Sequence, residues 1–305
     1  MTDMMIDVPG PVGFLGLGAM GSGMAQTLAR GGFRVKAYDL SRDRRIEFET
    51  ATGQTAAATL EEALTDVAAV VTMLPDGGFV RAALLGARGP EPIAVARPDL
   101  LVIDCSSCAP SDTQTLAQDL AERGIGMVDA PVSGGVPGTR AGTLTMMAGG
   151  DAVAVKRGSK ILNTLGKTVY HTGPSGSGHA MKTLVNFIGT SQMMLDFQAL
   201  LVGQKYGLAP QTMVEILNRS YAKNLSTEIV LEQQILSGAF AHNFTLGLAA
   251  KDARIAAETA EAAGFGDNTP RHFADFLAAA ASAMGDEADL TRAYQYLDGL
   301  WDKPA

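Results

Sequence analysis

Residues 12–21 read VGFLGLGAMG, and this stretch decides the fold. A short apolar run ends in the glycines, and residues 20–30 that follow have the spacing of a helix. Gly16 permits a tight turn, Gly18 lets the backbone approach a pyrophosphate, and Gly21 allows close packing of helix on strand. The pattern predicts a strand–turn–helix unit that binds a dinucleotide at the helix N-terminus. The candidate cofactor-binding residues in it are Gly16, Gly18, Ala19, Met20 and Gly21.

An acidic residue closes the next strand-like run, residues 33–39. Asp39 lies 21 residues after Gly18, close to the spacing of about 20 expected for a ribose-binding acid. Its carboxylate can accept hydrogen bonds from the ribose hydroxyls and would repel a 2′-phosphate, which favours NAD over NADP. Three arginines at positions 42, 44 and 45 keep NADP open, because they can hold a phosphate if Asp39 turns away.

Strand-like and helix-like segments alternate through the first half of the chain, which predicts βαβ units and a mainly parallel sheet. The stretch of Gly, Ser and Pro at 172–178 is the predicted hinge. Strand signals nearly vanish beyond it, and residues 179–206 are predicted to form one long helix. We therefore predict an α/β fold, with a Rossmann-like doubly wound domain at 1–173 and an all-helical domain at 174–305. The apolar residues of the long helix at core-like spacings are Met181, Leu184, Val185, Ile188, Leu195 and Phe197.

The composition limits the partners and the compartment. Net charge is −8 and no block of Lys and Arg stands out, which argues against nucleic-acid and anionic-membrane partners. No apolar run approaches the roughly 18 to 20 residues of a membrane helix, and the first eleven residues lack the pattern of a signal peptide. The two cysteines, Cys105 and Cys108, are too few for a disulfide framework. We expect a cytoplasmic protein, because a reduced compartment is the simplest explanation of so few cysteines. We expect no metal site, because the four histidines show no ligand spacing.

Six motifs, taken together and in this order, resemble the β-hydroxyacid dehydrogenase family. That family includes 3-hydroxyisobutyrate dehydrogenase, tartronate semialdehyde reductase and L-threonate dehydrogenase. The resemblance covers almost the whole chain. The motifs read GFLGLGAMG at 13–21, MLP at 73–75, DAPVSGG at 129–135, GTLT at 142–145, GHAMKTLVN at 178–186 and KD at 251–252.

The resemblance implies a Rossmann-like domain, a helical domain entered by a long helix, and an active site in the cleft between them. It implies cofactor contacts from Leu74 and Pro75, and from Ser107 in a segment similar to the family's Asp-x-Ser-Thr. Lys251 matches a lysine near the bound cofactor. Members of the family usually assemble through the helical domain, so we expect a homodimer or a homotetramer.

The chemistry expected of such a site is the oxidation of an alcohol, which requires hydride acceptance and removal of a proton. NAD performs the first, and a positioned side chain performs the second. By the family match, Lys182 is the general acid/base, and Asn186 shares its helix face four residues later. The predicted substrate-binding loop, with a hydroxyl and backbone N–H groups for a carboxylate, is Ser133, Gly134 and Gly135. We expect hydride transfer between NAD and a small 3-hydroxy acid similar to 3-hydroxyisobutyrate.

One departure from 3-hydroxyisobutyrate dehydrogenases puts the substrate in doubt. Their loop resembling Ser-Ser-Gly-Arg-Cys-Trp is here residues 220–225, SYAKNL, with Ala222 in place of Gly and Leu225 in place of Trp. Alternatives therefore stay open: an NADPH-dependent reductase of tartronate semialdehyde, succinic semialdehyde or glyoxylate, an imine reductase, or a non-catalytic NAD-binding regulator. Lys182 argues against the last two, because imine reductases usually carry Asp or Tyr there and such regulators have lost the lysine. A 6-phosphogluconate dehydrogenase would be much longer and would have His at the position of Val185.

Overall fold

A computed structural model describes residues 10–86, 92–95 and 99–301. The prediction that the first eleven residues are not a signal peptide concerns residues 1–9 for the most part, and these lie outside the described residues. The chain forms two compact units, Met1–Lys182 and Thr183–Ala305. None of the helices in the described ranges combines the length and the apolar character needed to cross a lipid bilayer.

The first unit contains a sheet whose strands run in the order β2-β1-β3-β4-β5-β7-β6, with β8 paired to β7. The first five strands pair in parallel, and β7 runs antiparallel to β5 and β6. The chain passes from β1 to β2 on one side and to β3 on the other, so β1 and β3 flank a topological switch point, where such sheets bind ligands. The strands are β1 (Val12–Leu15), β2 (Val35–Tyr38), β3 (Ala69–Thr72), β4 (Leu101–Asp104), β5 (Gly126–Asp129), β6 (Val132–Ser133), β7 (Leu144–Gly149) and β8 (Gly166–Gly173).

Both faces of this sheet are apolar, because successive side chains of a strand point to opposite faces. Phe14 packs in one core cluster and its neighbour Leu15 in another; Val71 and Val70 divide in the same way. Helices cover both faces, as the predicted doubly wound fold requires. They are α1 (Ala19–Arg30), α2 (Arg42–Thr52), α3 (Leu60–Leu64), α4 (Gly77–Leu85), α5 (Pro110–Ala121), α6 (Gly135–Ala141) and α7 (Ala152–Leu165), with a 3₁₀ turn at Pro92–Val95.

In the part that the structure describes, the regular elements of the second unit are all helices. Its core gathers side chains such as Phe197, Leu231 and Leu277, each fully buried. The elements are α8 (Ser177–Lys205), whose first turns lie in the first unit, α9 (Pro210–Leu217), a π-helix (Ser226–Leu236), α10 (Leu246–Ala262), α11 (Thr269–Met284), a 3₁₀ turn (Leu290–Arg292) and α12 (Ala293–Asp298). The predicted fold class is therefore confirmed, including the long helix after the hinge.

The core face assigned to the long helix was largely wrong. Of the six side chains, Phe197 is fully buried, and Val185 is half-buried. The other four are between 41% and 62% exposed: Met181, Leu184, Ile188 and Leu195. Apolar residues occupy more than one face of α8, and the core is instead built on Met193, Met194, Leu200 and Leu201 beside Phe197. A period of 3.6 identifies a helix but does not tell which of two apolar faces is covered.

Candidate active site

The glycine loop after β1 has the geometry expected of a dinucleotide-binding turn. Gly16 has φ +97° in the left-handed region, and a Cβ there would overlap the carbonyl oxygen of Met73. A Cβ on Gly21 would overlap the carbonyl oxygen of Gly16, so helix and turn touch through backbone. A Cβ on Gly18 would meet nothing within 4 Å, and Gly18 begins α1 with no side-chain cap. The open space before uncapped N–H groups fits a pyrophosphate.

Asp39 follows β2 and is oriented by the glycine loop itself. Its Oδ2 accepts the N–H of Leu17 at 2.8 Å, and its Oδ1 accepts the N–H of Ser41 at 2.8 Å. Arg44 lies 3.5 Å from Oδ2, while Arg45 donates to the carbonyl oxygen of Asp39 at 2.6 Å and lies over the Tyr38 ring. The carboxylate is therefore turned toward the loop, where the ribose of a dinucleotide would lie.

The segments after β3 and β4 are joined at Ser106. The N–H of Leu74 donates to Ser106 Oγ at 2.9 Å, and the N–H of Ser106 donates to Asp104 Oδ1 at 3.0 Å. Asp104 is buried and also accepts Thr72 Oγ1 at 2.8 Å, so the two strand ends are tied together. These bonds fix Leu74 and Pro75, together with half-buried Ser107, at the carboxyl edge of the sheet.

Two glycines stand where the chain passes from β6 into α6. Ser133 ends β6, which pairs with β7 through Ser133 and Thr145. Gly134 and Gly135 have φ of +134° and +60°, conformations that favour glycine, and both are exposed. The sequence reading identified this loop but missed both β6 and the helix α6 that follows it, because two residues of strand and seven of helix give no measurable periodicity.

Lys182 and Asn186 lie one turn apart on α8, and both are half-buried. Asn186 Nδ2 donates to Asp252 Oδ2 at 2.7 Å, and Asp252 Oδ1 lies 3.4 Å from Lys251 Nζ on α10. Asp252 thus fixes the amide of Asn186. The sequence did not predict this contact or any role for Asp252 in the site. The only signal was its place beside Lys251 in the KD motif.

Asp129, the last residue of β5, caps the N-terminus of α8. Its Oδ1 accepts the N–H of Gly176 at 2.8 Å and its Oδ2 accepts the N–H of His179 at 3.0 Å. Gly149 and Gly178 approach so closely that a Cβ on either would crowd this carboxylate. Burial raises the pKa of Asp129, while the nearby His179 and the backbone N–H donors lower it.

His179 is the first residue of the helix predicted at 179–206, and it was given no role in the predicted site. Its side chain is fully buried, with Nε2 3.0 Å from the carbonyl oxygen of Ser106 and Nδ1 2.7 Å from Thr113 Oγ1. The imidazole nitrogens lie 3.9 Å from Asp104 Oδ2 and 3.8 Å from Asp129 Oδ2. The ring therefore fills a polar pocket between β4, β5 and α5 rather than facing solvent.

The two cysteines are free thiols, and both are buried. Burial raises the pKa of Cys105 well above its usual value, and the nearby Asp104 adds to this rise, which disfavours the reactive thiolate. Cys108 Sγ donates to Asp104 Oδ2 at 3.4 Å. Ligand atoms of Asp104, Cys108 and His179 lie within 4.8 Å of one another, in the spacing of a metal site.

Known sequence families match both units. Residues 11–173 match the profile described as the NAD-binding domain of 6-phosphogluconate dehydrogenase. Residues 176–297 match the profile described as NAD-binding of NADP-dependent 3-hydroxyisobutyrate dehydrogenase. The two matches meet at the predicted hinge and cover nearly all of the described chain.

Individual relatives agree with these profiles. The chain is 36% identical to 2-(hydroxymethyl)glutarate dehydrogenase of Eubacterium barkeri, over 81% of each chain. It is 34% identical to the NAD-dependent L-serine dehydrogenase of Pseudomonas aeruginosa, over 82% of this chain and 85% of that one. Among solved structures, Mycobacterium tuberculosis 3-hydroxyisobutyrate dehydrogenase with L-serine superimposes with a TM-score of 0.85 at 28% identity, covering 94% of this chain and 99% of that one. The chain belongs to the β-hydroxyacid dehydrogenase family and is an NAD(P)-dependent oxidoreductase that acts on hydroxyl donors.

Proposed function

We propose that this enzyme transfers a hydride between NAD and a small 3-hydroxy acid, with Lys182 moving the proton of the reacting hydroxyl. The observation that carries the proposal is the pairing on α8: Lys182 and Asn186 lie one turn apart, and Asp252 holds the Asn186 amide at 2.7 Å. A lysine beside a fixed amide matches the need for a proton acceptor and a second polar group on one hydroxyl. When bound, NAD supplies the hydride acceptor.

The roles of the remaining residues follow from their places in the fold. Lys182 takes the hydroxyl proton during oxidation and returns it during reduction, when its ammonium also stabilises developing negative charge. Ser133, Gly134 and Gly135 bind the substrate carboxylate through a hydroxyl and backbone N–H groups. Asn186 orients the substrate or the lysine. The proposed cofactor contacts are Gly16, Gly18, Ala19, Met20, Gly21, Asp39, Leu74, Pro75, Ser107 and Lys251.

NAD is the proposed cofactor in preference to NADP. The Asp39 carboxylate accepts hydrogen bonds from Leu17 and Ser41, which keep it at the ribose end of the glycine loop. In that position it repels a 2′-phosphate. Arg44 is 3.5 Å away and only partly offsets this charge, because its own side chain is half-exposed to water.

The substrate is proposed to be larger or more polar at its 2-position than 3-hydroxyisobutyrate. Leu225 replaces the tryptophan of 3-hydroxyisobutyrate dehydrogenases, and Asn224 beside it adds an amide to the loop. The relatives named for 2-(hydroxymethyl)glutarate and L-serine are consistent with this. The first molecule carries a carboxyethyl group and the second an amino group where 3-hydroxyisobutyrate has a methyl group.

We propose the domain division at 1–173 and 174–305, a cytoplasmic location, and assembly as a homodimer or homotetramer through the helical domain. The assembly proposal is supported by an apolar stripe on α8 formed by Ile188, Leu195 and Val202. These side chains recur every seven residues, so they lie along one face of the helix. They are 53%, 62% and 45% exposed, which is typical of a surface that a second copy covers.

A substrate panel tests the reaction class. Purified enzyme is incubated with 3-hydroxyisobutyrate, L-serine, glycerate, threonate, 3-hydroxypropionate, 4-hydroxybutyrate and 2-(hydroxymethyl)glutarate, with NAD and NADP in parallel. Reduced cofactor is followed by absorbance. We expect turnover of at least one acid, fastest with NAD and slower for 3-hydroxyisobutyrate than for an acid with a polar 2-substituent. Cofactor binding without turnover of any acid would contradict the proposal.

A further inference from the structure

One residue that the proposed chemistry does not use joins the segments of the site within the first unit. His179 lies three residues before Lys182, in the first turn of α8. Its Nε2 lies 3.0 Å from the carbonyl oxygen of Ser106. A carbonyl oxygen only accepts hydrogen bonds, so Nε2 carries a proton and donates it. The imidazole thus connects the first turn of α8 to the loop after β4.

His179 binds the carbonyl group of Ser106, and Ser106 in turn fixes the segments that carry the proposed cofactor contacts. Ser106 Oγ accepts the N–H of Leu74 at 2.9 Å, and Ser106 directly precedes Ser107. Ser106 and His179 are both fully buried, so water does not compete for these bonds. A shift of the imidazole would move the Leu74 and Ser107 segments relative to Lys182.

The main chain of the same residue reaches the substrate-binding loop. The N–H of His179 donates to Asp129 Oδ2 at 3.0 Å, and Asp129 begins the run that leads through β6 to Ser133. On its other side, the ring is held by Thr113 Oγ1 at 2.7 Å from Nδ1. A single buried residue therefore connects the segments that carry Leu74, Ser107, Ser133 and Lys182.

We propose that His179 is a positioning residue for hydride transfer, which sets the placement of Lys182 relative to the nicotinamide-contacting and substrate-binding loops. This inference rests on the proposed role of Lys182. Catalysis is sensitive to such placement, since an error of about 1 Å between reacting groups can cost about 100-fold in rate. A hydrogen-bonded ring inside a close-packed interior holds geometry better than a flexible surface side chain would.

The ligand atoms of Asp104, Cys108 and His179 have the spacing of a metal site, but the hydrogen bonds among these side chains favour the positioning role. A metal needs Cys as thiolate and His with a free ring nitrogen. Here the thiol of Cys108 donates to Asp104 at 3.4 Å, and His179 Nε2 donates to Ser106. Every polar atom that would bind a metal is already engaged in the buried network, and a bound metal would have to break it.

The test compares His179→Gln, His179→Leu and Thr113→Val with His272→Gln, a control at an exposed histidine on α11. Gln retains an N–H donor for Ser106 and an acceptor for Thr113, whereas Leu retains neither. Each variant is measured for melting temperature, NAD affinity, kcat, KM and the kinetic isotope effect with substrate deuterated at the hydroxyl-bearing carbon. Zinc content is measured in the same preparations.

We expect His179→Leu to lower kcat about 10- to 100-fold and to raise the isotope effect, with NAD affinity changed less than about threefold. His179→Gln should restore kcat to within about threefold of wild type, and Thr113→Val should show the same changes as Leu in milder form. Partial unfolding alone lowers kcat without moving the isotope effect, so these readouts separate positioning from stability. If His179→Leu does not fold, the Gln and Val variants decide the question by the same measures.

Unchanged kcat and isotope effect in folded His179→Leu would overturn the inference, as would a Gln variant no better than Leu. One zinc per chain that is lost in His179→Gln would overturn it in favour of a metal site. Lys182→Met is measured beside these variants: if it keeps wild-type turnover, the proposed function fails, whereas an inactive Lys182→Met with an active His179→Leu refutes only the positioning role.

Discussion

At single residues, we propose that one carboxylate, Asp39, decides between NAD and NADP. Asp39 is held by the backbone of the glycine loop at 2.8 Å, so its negative charge stays where a 2′-phosphate would have to lie. We predict that Asp39→Ser lowers the ratio of kcat/KM with NAD to that with NADP by about 10-fold or more, because the repulsion disappears while Arg44 and Arg45 remain. Steady-state kinetics with both cofactors measure the ratio. Asp43→Ser, an exposed acid in the first turn of α2, is the control, and an equal effect there would refute the assignment.

A second buried carboxylate makes a prediction about stability. Asp196 on α8 is 8% exposed, and its Oδ1 accepts Asn224 Nδ2 at 3.3 Å, while its Oδ2 and the nearby Ser226 Oγ are unsatisfied. Burial raises its pKa above the ordinary 3.8, against the lowering effect of the hydrogen bond from Asn224. The folded state therefore disfavours the charged form. This destabilisation is complete above the folded pKa and disappears as the pH falls below 3.8.

We predict that Asp196→Asn raises the free energy of unfolding by about 1 kcal/mol near neutral pH, because the amide keeps an acceptor for Asn224 and gains a donor for Ser226. The gain should shrink as the pH is lowered toward the pKa of free aspartate. Denaturant unfolding at a series of pH values measures it. Asp275→Asn on α11, at an exposed position, serves as the control. A variant less stable than wild type at neutral pH would show that the carboxylate has a stabilising partner.

The first turn of α8 packs against the backbone of β5 and β7 in the sheet through Gly178. A Cβ on Gly178 would overlap the carbonyl oxygen of Met147 and lie 2.5 Å from that of Asp129, whereas a Cβ on Gly189 of the same helix meets nothing within 4 Å. We predict that Gly178→Ala destabilises the chain by about 2–3 kcal/mol. Gly189→Ala should stabilise it by about 0.5–1 kcal/mol, since alanine favours a helix. Melting temperatures check both, and equal shifts in the same direction would contradict the packing described here.

Features of the site that depend on neighbouring residues could be predicted from the sequence, whereas contacts between distant residues could not. The glycine loop, Asp39 and the long helix follow from local rules, because turn chemistry and helical spacing are written in neighbouring residues. The partners of Asn186 and His179 are not local: Asp252 lies 66 residues from one, and Ser106 lies 73 residues from the other. Sequence placed His179 at a helix end, but only the fold shows that β4, β5 and α5 enclose it.

Ile188, Leu195 and Val202 form a stripe on α8 that is exposed in the single chain, although the sequence predicted the first two in the core. We propose that a second copy covers this stripe. We predict that Leu195→Lys, at a position 62% exposed, reduces the oligomer to a smaller species in light scattering after size exclusion. Val153→Lys on α7, at a position 63% exposed, is the matched control and should leave the mass unchanged. A wild-type chain that is monomeric at micromolar concentration would contradict the proposal.

The family assignment and the fold agree, and the proposed reaction depends on one lysine side chain. The most direct test is Lys182→Met, which keeps the length and the apolar stem of the side chain and removes its titratable nitrogen. With the best acid of the panel, kcat is predicted to fall about 1000-fold, while NAD affinity, measured separately by titration, should change less than about twofold because the glycine loop and Asp39 are untouched. Turnover near that of wild type, with the cofactor bound normally, would contradict the account and remove Lys182 from the mechanism.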